Sequence, residues 1–202
     1  MFSHGVMRHD KPLRHIGDVR KDSCSSIIFI DQEVKAQNEV NNSPLRLLDI
    51  SDHKDDSSNI EQFKKLRESA SPVETAALDS FFDQLPPIPV SHLVGSWNGG
   101  FFDTGHPNGD FMKDISWIGK DFFSVDHVDP VIVERGGKRQ SWGKWGLASL
   151  KEIVFRGQVT SAMVYDDQPV IDYFRFVDDN TVAGIMEGKK LDGPFYFYLT
   201  RP

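Results

Sequence analysis

One cysteine, Cys24, stands among 202 residues, so the chain has no partner within itself for a disulfide. That single thiol argues for a reducing compartment. No apolar run is long enough to span a bilayer. Met1 to Arg20 carries charge throughout and has no apolar centre, so it does not read as a secretory leader. The sequence therefore predicts a cytoplasmic protein without an integral membrane segment. Positive charge is also short: the net charge is −7, which disfavours nucleic acid and anionic membrane as partners. Residues 71–202 hold 12 Lys/Arg against 18 Asp/Glu, so the acidity sits in the second part. Histidine is sparse beyond residue 59, at His92, His106 and His127 only, without metal-ligand spacing. No His follows His127, which removes a haem ligand from the late strands. No metal and no cofactor are expected.

Aromatics are scarce early and dense late. Of 15 Phe, only Phe2, Phe29 and Phe63 precede residue 70. Residues 1–59 are polar, lack apolar periodicity and read as a disordered extension. Within it, Ile27–Ile30 is a β-prone run that suits a docking segment or an added edge strand. Residues 60–202 read as a single domain. Ile60, Phe63 and Leu66 follow helical spacing. Ser71-Pro72-Val73-Glu74 reads as a helix start, with Ser as N-cap and Pro in the first turn. Ala77, Leu78, Phe81, Phe82 and Leu85 supply the stripe, and Pro86-Pro87 ends it. Pro89 to Val94 suits a single helical turn.

From Gly95 on, the texture is β. Strands are expected at 96–102, 115–123, 130–134, 139–145, 150–156, 158–165, 170–177, 181–187 and 195–201, separated by Asp, Gly, Asn and Pro turn signals. Asp103 to Gly109 reads as a polar loop bearing His106, and Asp126 to Pro130 as a turn. Arg156-Gly157-Gln158 reads as a bulge or corner in one long strand. Short turns imply antiparallel meander pairing, and many evenly spaced strands favour a sandwich or a closed barrel. Several strands carry large apolar residues on both faces. They need cover outside as well as inside, from the helix at 72–85 or from a second copy in a homodimer.

Gly95-x-Trp97-x-Gly99, followed by Phe102-Asp103-Thr104-Gly105-His106-Pro107 and Trp117-Ile118-Gly119-Lys120, resembles the GXWXG family. The text from Phe155 to Arg175, then Val182 to Met186 and Phe195 to Leu199, resembles its companion, domain of unknown function 4334. The resemblance implies a mainly β, antiparallel, lipocalin-like (calycin-type) barrel with one or two short N-terminal helices. It divides residues 60–202 into a GXWXG part at 80–141 and the companion part at 144–202. It brings no established reaction, so no catalytic residue is assigned.

Structural roles are expected for Gly95, Trp97, Gly99 and Arg201, with the indole closing one barrel end against the guanidinium. Candidate ligand-binding residues are Asp103, His106, Trp117, Lys120, Tyr165, Asp172 and Phe174. Asp103 and His106 suit loop architecture, head-group binding, or general-base chemistry that lacks a nucleophile motif beside it. Lys120, Tyr165, Asp172 and Arg175 are polar groups in apolar strands, either surface residues or anchors within a lumen. Strict alternation puts Asp172 and Arg175 on opposite faces, and likewise separates Trp117 from Lys120. Three function classes stay open. The first is non-enzymatic binding of a small apolar or amphipathic ligand (lipid or fatty-acid-like) in the barrel. The second is a protein-interaction module using the aromatic exterior or the tail. The third is an enzyme with His106 at the barrel mouth.

Overall fold

Nine stretches of period-two texture become nine strands in a computed structural model that describes residues 57–202. The expectations for the N-terminal extension, Ile27–Ile30 included, lie outside the described residues. The strands are β1 (Gly95–Phe101), β2 (Trp117–Ser124), β3 (His127–Arg135), β4 (Lys138–Ser141), β5 (Ala148–Phe155), β6 (Gln158–Tyr165), β7 (Val170–Asp178), β8 (Thr181–Gly188) and β9 (Phe195–Thr200). All neighbours pair antiparallel. The order β2-β1-β9-β8-β7-β6-β5-β3 is closed by pairing of β2 with β3, giving a barrel of 8 strands with β4 as a flap on β3. Closure leaves the barrel strands without a free edge along the ring, which removes the usual route to edge pairing.

Among the described residues four helices accompany the barrel: α1 (Ser57–Arg67), α2 (Thr75–Gln84), α3 (Val90–Leu93) and α4 (Pro107–Asp114). The two-sided strands are covered by the first two. Phe63 from α1 and Leu78, Phe81 and Phe82 from α2 pack on Val177, Ala183, Ile185 and Tyr196, on the outside of β7, β8 and β9. Each such side chain contributes about 1.5–3 kcal/mol of apolar burial. Inside, Trp97, Phe122, Met163, Phe174, Val182, Phe197 and Leu199 form a separate cluster.

The segment between α2 and β1 stops one end of the barrel. Pairing of β6 with β7 spans only Ala162–Val164 against Ile171–Tyr173. Below it the two strands part, and the chain at Pro86–Ile88 takes up their backbone groups. Phe176 N–H donates to the Pro86 carbonyl, and Ser161 donates to the Ile88 carbonyl through both N–H and Oγ. Buried backbone groups that neighbouring strands cannot pair are thereby satisfied.

Several local expectations change. Helix α2 starts at Thr75 with Glu74 as its N-cap residue and no side-chain cap bond, so Ser71-Pro72 lies before the helix. The His106 loop runs into α4, and β2 starts at Trp117 rather than Ile115. Pro at the first helical position, which sequence reading spent on residue 72, serves this helix instead. Arg156-Gly157 is a true hairpin turn: both residues have positive φ, and Phe155 pairs with Gln158. Strand β3 runs through Pro130, which sits where the register against β2 slips, a place that needs no ladder donor. Strand β4 ends at Ser141, leaving Trp142 and Trp145 in the connection to β5.

The same irregular pairing decides which way β2 faces. Register shifts flank Gly119, whose φ is +149°, and a Cβ there would meet the Trp97 carbonyl oxygen. Only glycine fits. This irregularity brings Trp117 and Lys120 together, where strict alternation had separated them.

Trp97 is fully buried, with its indole N–H donating to the Leu93 carbonyl at 2.7 Å. Replacing it with Ala is expected to lower stability by about 3–5 kcal/mol, read from urea unfolding midpoints. A loss below about 1 kcal/mol would show that the interior collapses around the gap.

Candidate functional site

Inward-facing positions of β2, β6 and β7 carry Lys120, Tyr165 and Asp172 into one place. Lys120 Nζ lies 2.9 Å from Asp172 Oδ2. It also donates to the Tyr165 hydroxyl and to the Pro130 carbonyl, both at 3.0 Å. The Tyr165 hydroxyl in turn donates to Asp172 Oδ2 at 3.2 Å. All three donors of the ammonium are thus engaged. Asp172 is fully buried, and its second oxygen, Oδ1, has no protein partner.

The surroundings are aromatic. Lys120 Nζ lies 5.1 Å from the Phe197 ring centre, 5.5 Å from Tyr165 and 5.7 Å from Trp117. Phe174 stands against Phe197 edge to face at 5.8 Å, with Phe122 on its other side at 6.1 Å. An ion pair in such a medium is held by geometry and by its additional hydrogen bonds, because desolvation opposes the Coulomb attraction. Burial pushes the Asp172 carboxyl above its ordinary value, and Lys120 and Tyr165 pull it back only in part. Tyr165 is raised well above the ordinary phenol value, first by burial and then by the Asp172 charge.

Over this cluster, three half-buried rings meet. Phe111 comes from α4, and Trp142 and Trp145 from the β4–β5 connection. Phe111 stacks on Trp145 at 5.7 Å and meets Trp142 edge to face at 5.6 Å. Trp145 touches Tyr165 at 5.9 Å, which links the outer rings to the polar cluster. Both tryptophans fall in the strand expected at 139–145 and are not among the candidate residues, yet they lie beside the cluster. The available signal was Gly143 and Gly146, each following a Trp closely; both take positive φ, which marks a turning loop.

At the other end of the barrel, Arg201 lies 4.0 Å from the centre of the Trp97 indole and donates to the His92 and Val94 carbonyls. Gly95, with φ +123°, leaves room for that guanidinium, whose Nη1 would lie 2.7 Å from a Cβ. Gly99 leaves room for the Trp117 ring in the same way.

Asp103 and His106 lie outside the interior cluster, and each has a local task. Asp103 Oδ1 accepts from Gly105 N–H at 3.2 Å. His106 caps α4: Nδ1 accepts from Asn108 N–H at 3.1 Å. The proton must then sit on Nε2, which faces the Gly193 carbonyl at 3.3 Å. Both ring nitrogens are therefore engaged with backbone. The cavity beside them holds about 170 Å³. Arg175, on the opposite face of β7 from Asp172, is buried between Gln158, the Phe155 carbonyl and the Phe82 ring.

A larger cavity of about 700 Å³ lies along the outer face of β6, β7 and β8, lined by Val164, Pro169, Ile171, Tyr173, Glu187 and Leu191 among others. None of the seven candidate ligand-binding residues lines it. Size favours this groove and chemistry favours the interior. The convergent polar groups in apolar surroundings belong to the interior cluster, and the larger volume belongs to the groove. Among the described residues no group of His, Cys, Asp and Glu is arranged to hold a metal ion, and no helix is long and apolar enough to cross a membrane.

Comparison with known proteins adds three findings. A family model described as "GXWXG protein" matches residues 80–137, and the domain of unknown function DUF4334 matches residues 146–201. The chain is similar to a protein from Thermomonospora curvata whose crystal structure is known. Identity is 38% and the TM-score 0.67, over 72% of this chain and 99% of that one. No curated protein matches this chain.

Lys120→Met leaves the Asp172 carboxyl buried without its cation, and is expected to cost about 3–5 kcal/mol near neutral pH. Asp172 is already raised in the folded state, and loss of the ammonium raises it further. The unfolded carboxyl is common to both chains, so the variant's deficit grows as pH rises past the already raised Asp172 value of the wild-type fold and shrinks as pH falls below it. Urea midpoints of wild type and variant between pH 4 and 8 test this. A deficit independent of pH would assign the loss to packing alone.

Proposed function

The chain belongs to the GXWXG family with its DUF4334 companion domain, and on that premise we propose that it is a non-enzymatic binder of a small ligand with an apolar body and a polar head, held inside the barrel. The observation that carries this reading is the free oxygen of Asp172, a polar group buried fully with one side unmet. Leaving such an atom unpaired costs about 1–3 kcal/mol, a penalty that a bound polar group would remove. The aromatic surroundings from Trp117, Phe197 and Trp145 suit an apolar body. Phe111, Trp142 and Trp145, half-buried beside the cluster, are the rings that the proposed ligand would have to pass.

The enzyme reading at His106 draws no support from its geometry, since both ring nitrogens serve the backbone. The interaction reading is favoured by one observation, the outer groove of about 700 Å³.

A titration with 1-aminoanthracene, a small apolar amphiphile with environment-sensitive emission, separates the two. Binding at micromolar strength, about −8 kcal/mol, is expected. Trp145→Ala should weaken it severalfold, whereas Ile171→Lys in the outer groove should leave it unchanged. The reverse pattern would move the site to the groove and favour the interaction module.

A further inference from the structure

The unmet valence at the interior cluster also selects the ligand's head group. We infer that the site takes a neutral hydroxyl-bearing amphiphile, an alcohol or phenol, rather than a carboxylate or an ammonium. This rests on the reading of the barrel interior as the binding site, and follows from hydrogen-bond accounting within it.

Lys120 has three N–H donors and three acceptors within reach: Asp172 Oδ2, the Tyr165 hydroxyl and the Pro130 carbonyl. None is left for a ligand. The Tyr165 hydroxyl accepts from Lys120 and donates to Asp172 Oδ2. The unspent capacity is on Asp172 Oδ1. An ionised Oδ1 needs a donor, which a hydroxyl supplies. A protonated Oδ1 needs an acceptor, which the same hydroxyl supplies. An alcohol therefore fits both states of a carboxyl that burial has pushed upward. A carboxylate fits only the protonated state, and an ether fits only that state as well.

Charge points the same way. Lys120 and Asp172 balance, side-chain exposure being 5% and 0%. A carboxylate head would put two anions against one cation in a buried site, and an ammonium two cations against one anion. Either excess is expensive where water cannot screen it. A neutral hydroxyl adds no charge. The rings of Trp117, Phe197 and Tyr165 around Nζ are occupied with the lysine, so they offer no empty cation cage for a quaternary head.

The test is a matched panel at pH 7 on the intact chain: 1-octanol, octyl methyl ether, octanoate and octylammonium. Each is titrated calorimetrically, with tryptophan emission as a second readout. The expected result is binding of 1-octanol, with the other three at least tenfold weaker. In Asp172→Asn, which frees Lys120 from its anion, octanoate should gain at least tenfold relative to 1-octanol. Equal binding of all four to wild type, or octanoate or octylammonium binding as tightly as 1-octanol, would overturn the head-group inference and leave the interior reading standing. Absence of binding by every member would overturn both. The wild-type panel decides the matter even where the variant does not fold.

Discussion

A lysine ammonium and an aspartate carboxylate 2.9 Å apart, inside a barrel of aromatic rings, set the terms for the surrounding structure. The pair is favourable only where water stays out and additional hydrogen bonds support both ions. The ring of strands has to close, which pairing of β2 with β3 achieves. Both ends have to be covered. Pro86–Leu93 and the Trp97–Arg201 stack cover one, and the Phe111, Trp142 and Trp145 rings cover the other. A rigid frame then holds Tyr165 and the Pro130 carbonyl where the ammonium needs acceptors.

The exterior answers a different demand. Strands β7, β8 and β9 are apolar on both faces, so the barrel needs a coat as well as a core. Helices α1 and α2 supply it, through Phe63, Phe81 and Phe82. Three polar contacts hold that coat in place. The Tyr196 hydroxyl donates to Asp79 Oδ1 at 2.7 Å, and Arg156 pairs with Asp79 and Asp83. The Arg156 pairs are partly exposed and add little to stability, so they fix position more than they strengthen the fold. Core and coat are separate clusters, which lets the interior carry polar chemistry without weakening the exterior packing.

Two motifs that look alike as text do different work. Gly95-x-Trp97-x-Gly99 is spatial: the first glycine admits the Arg201 guanidinium, the tryptophan is buried beneath it, and the last glycine admits the Trp117 ring. Asp103 to His106 is local: its side chains shape a turn and cap α4. A short polar loop rich in turn formers most often satisfies its own backbone, and this one does. Opposite demands meet at β2, where Trp117 and Lys120 share a neighbourhood only because Gly119 breaks the alternation.

The sequence by itself determined what repeats or what one turn can decide. Alternation and turn residues located all nine strands, because side-chain direction in a strand has period two and turns need Gly, Asn, Asp or Pro. Two-sided apolar strands announced the need for an outer coat. Candidate residues followed from the oddness of Lys120, Tyr165 and Asp172 in apolar text. Their direction did not, since period two permits either face. Tertiary structure alone decided that these three meet, although Tyr165 lies 45 positions from Lys120. It alone left one oxygen of Asp172 unmet, turned Trp142 and Trp145 out of a strand to lie over the site, and gave His106 to a helix. The physical reason is that convergence depends on barrel closure and on one irregular pairing at Gly119. Both are relations between distant strands, and no local period encodes them.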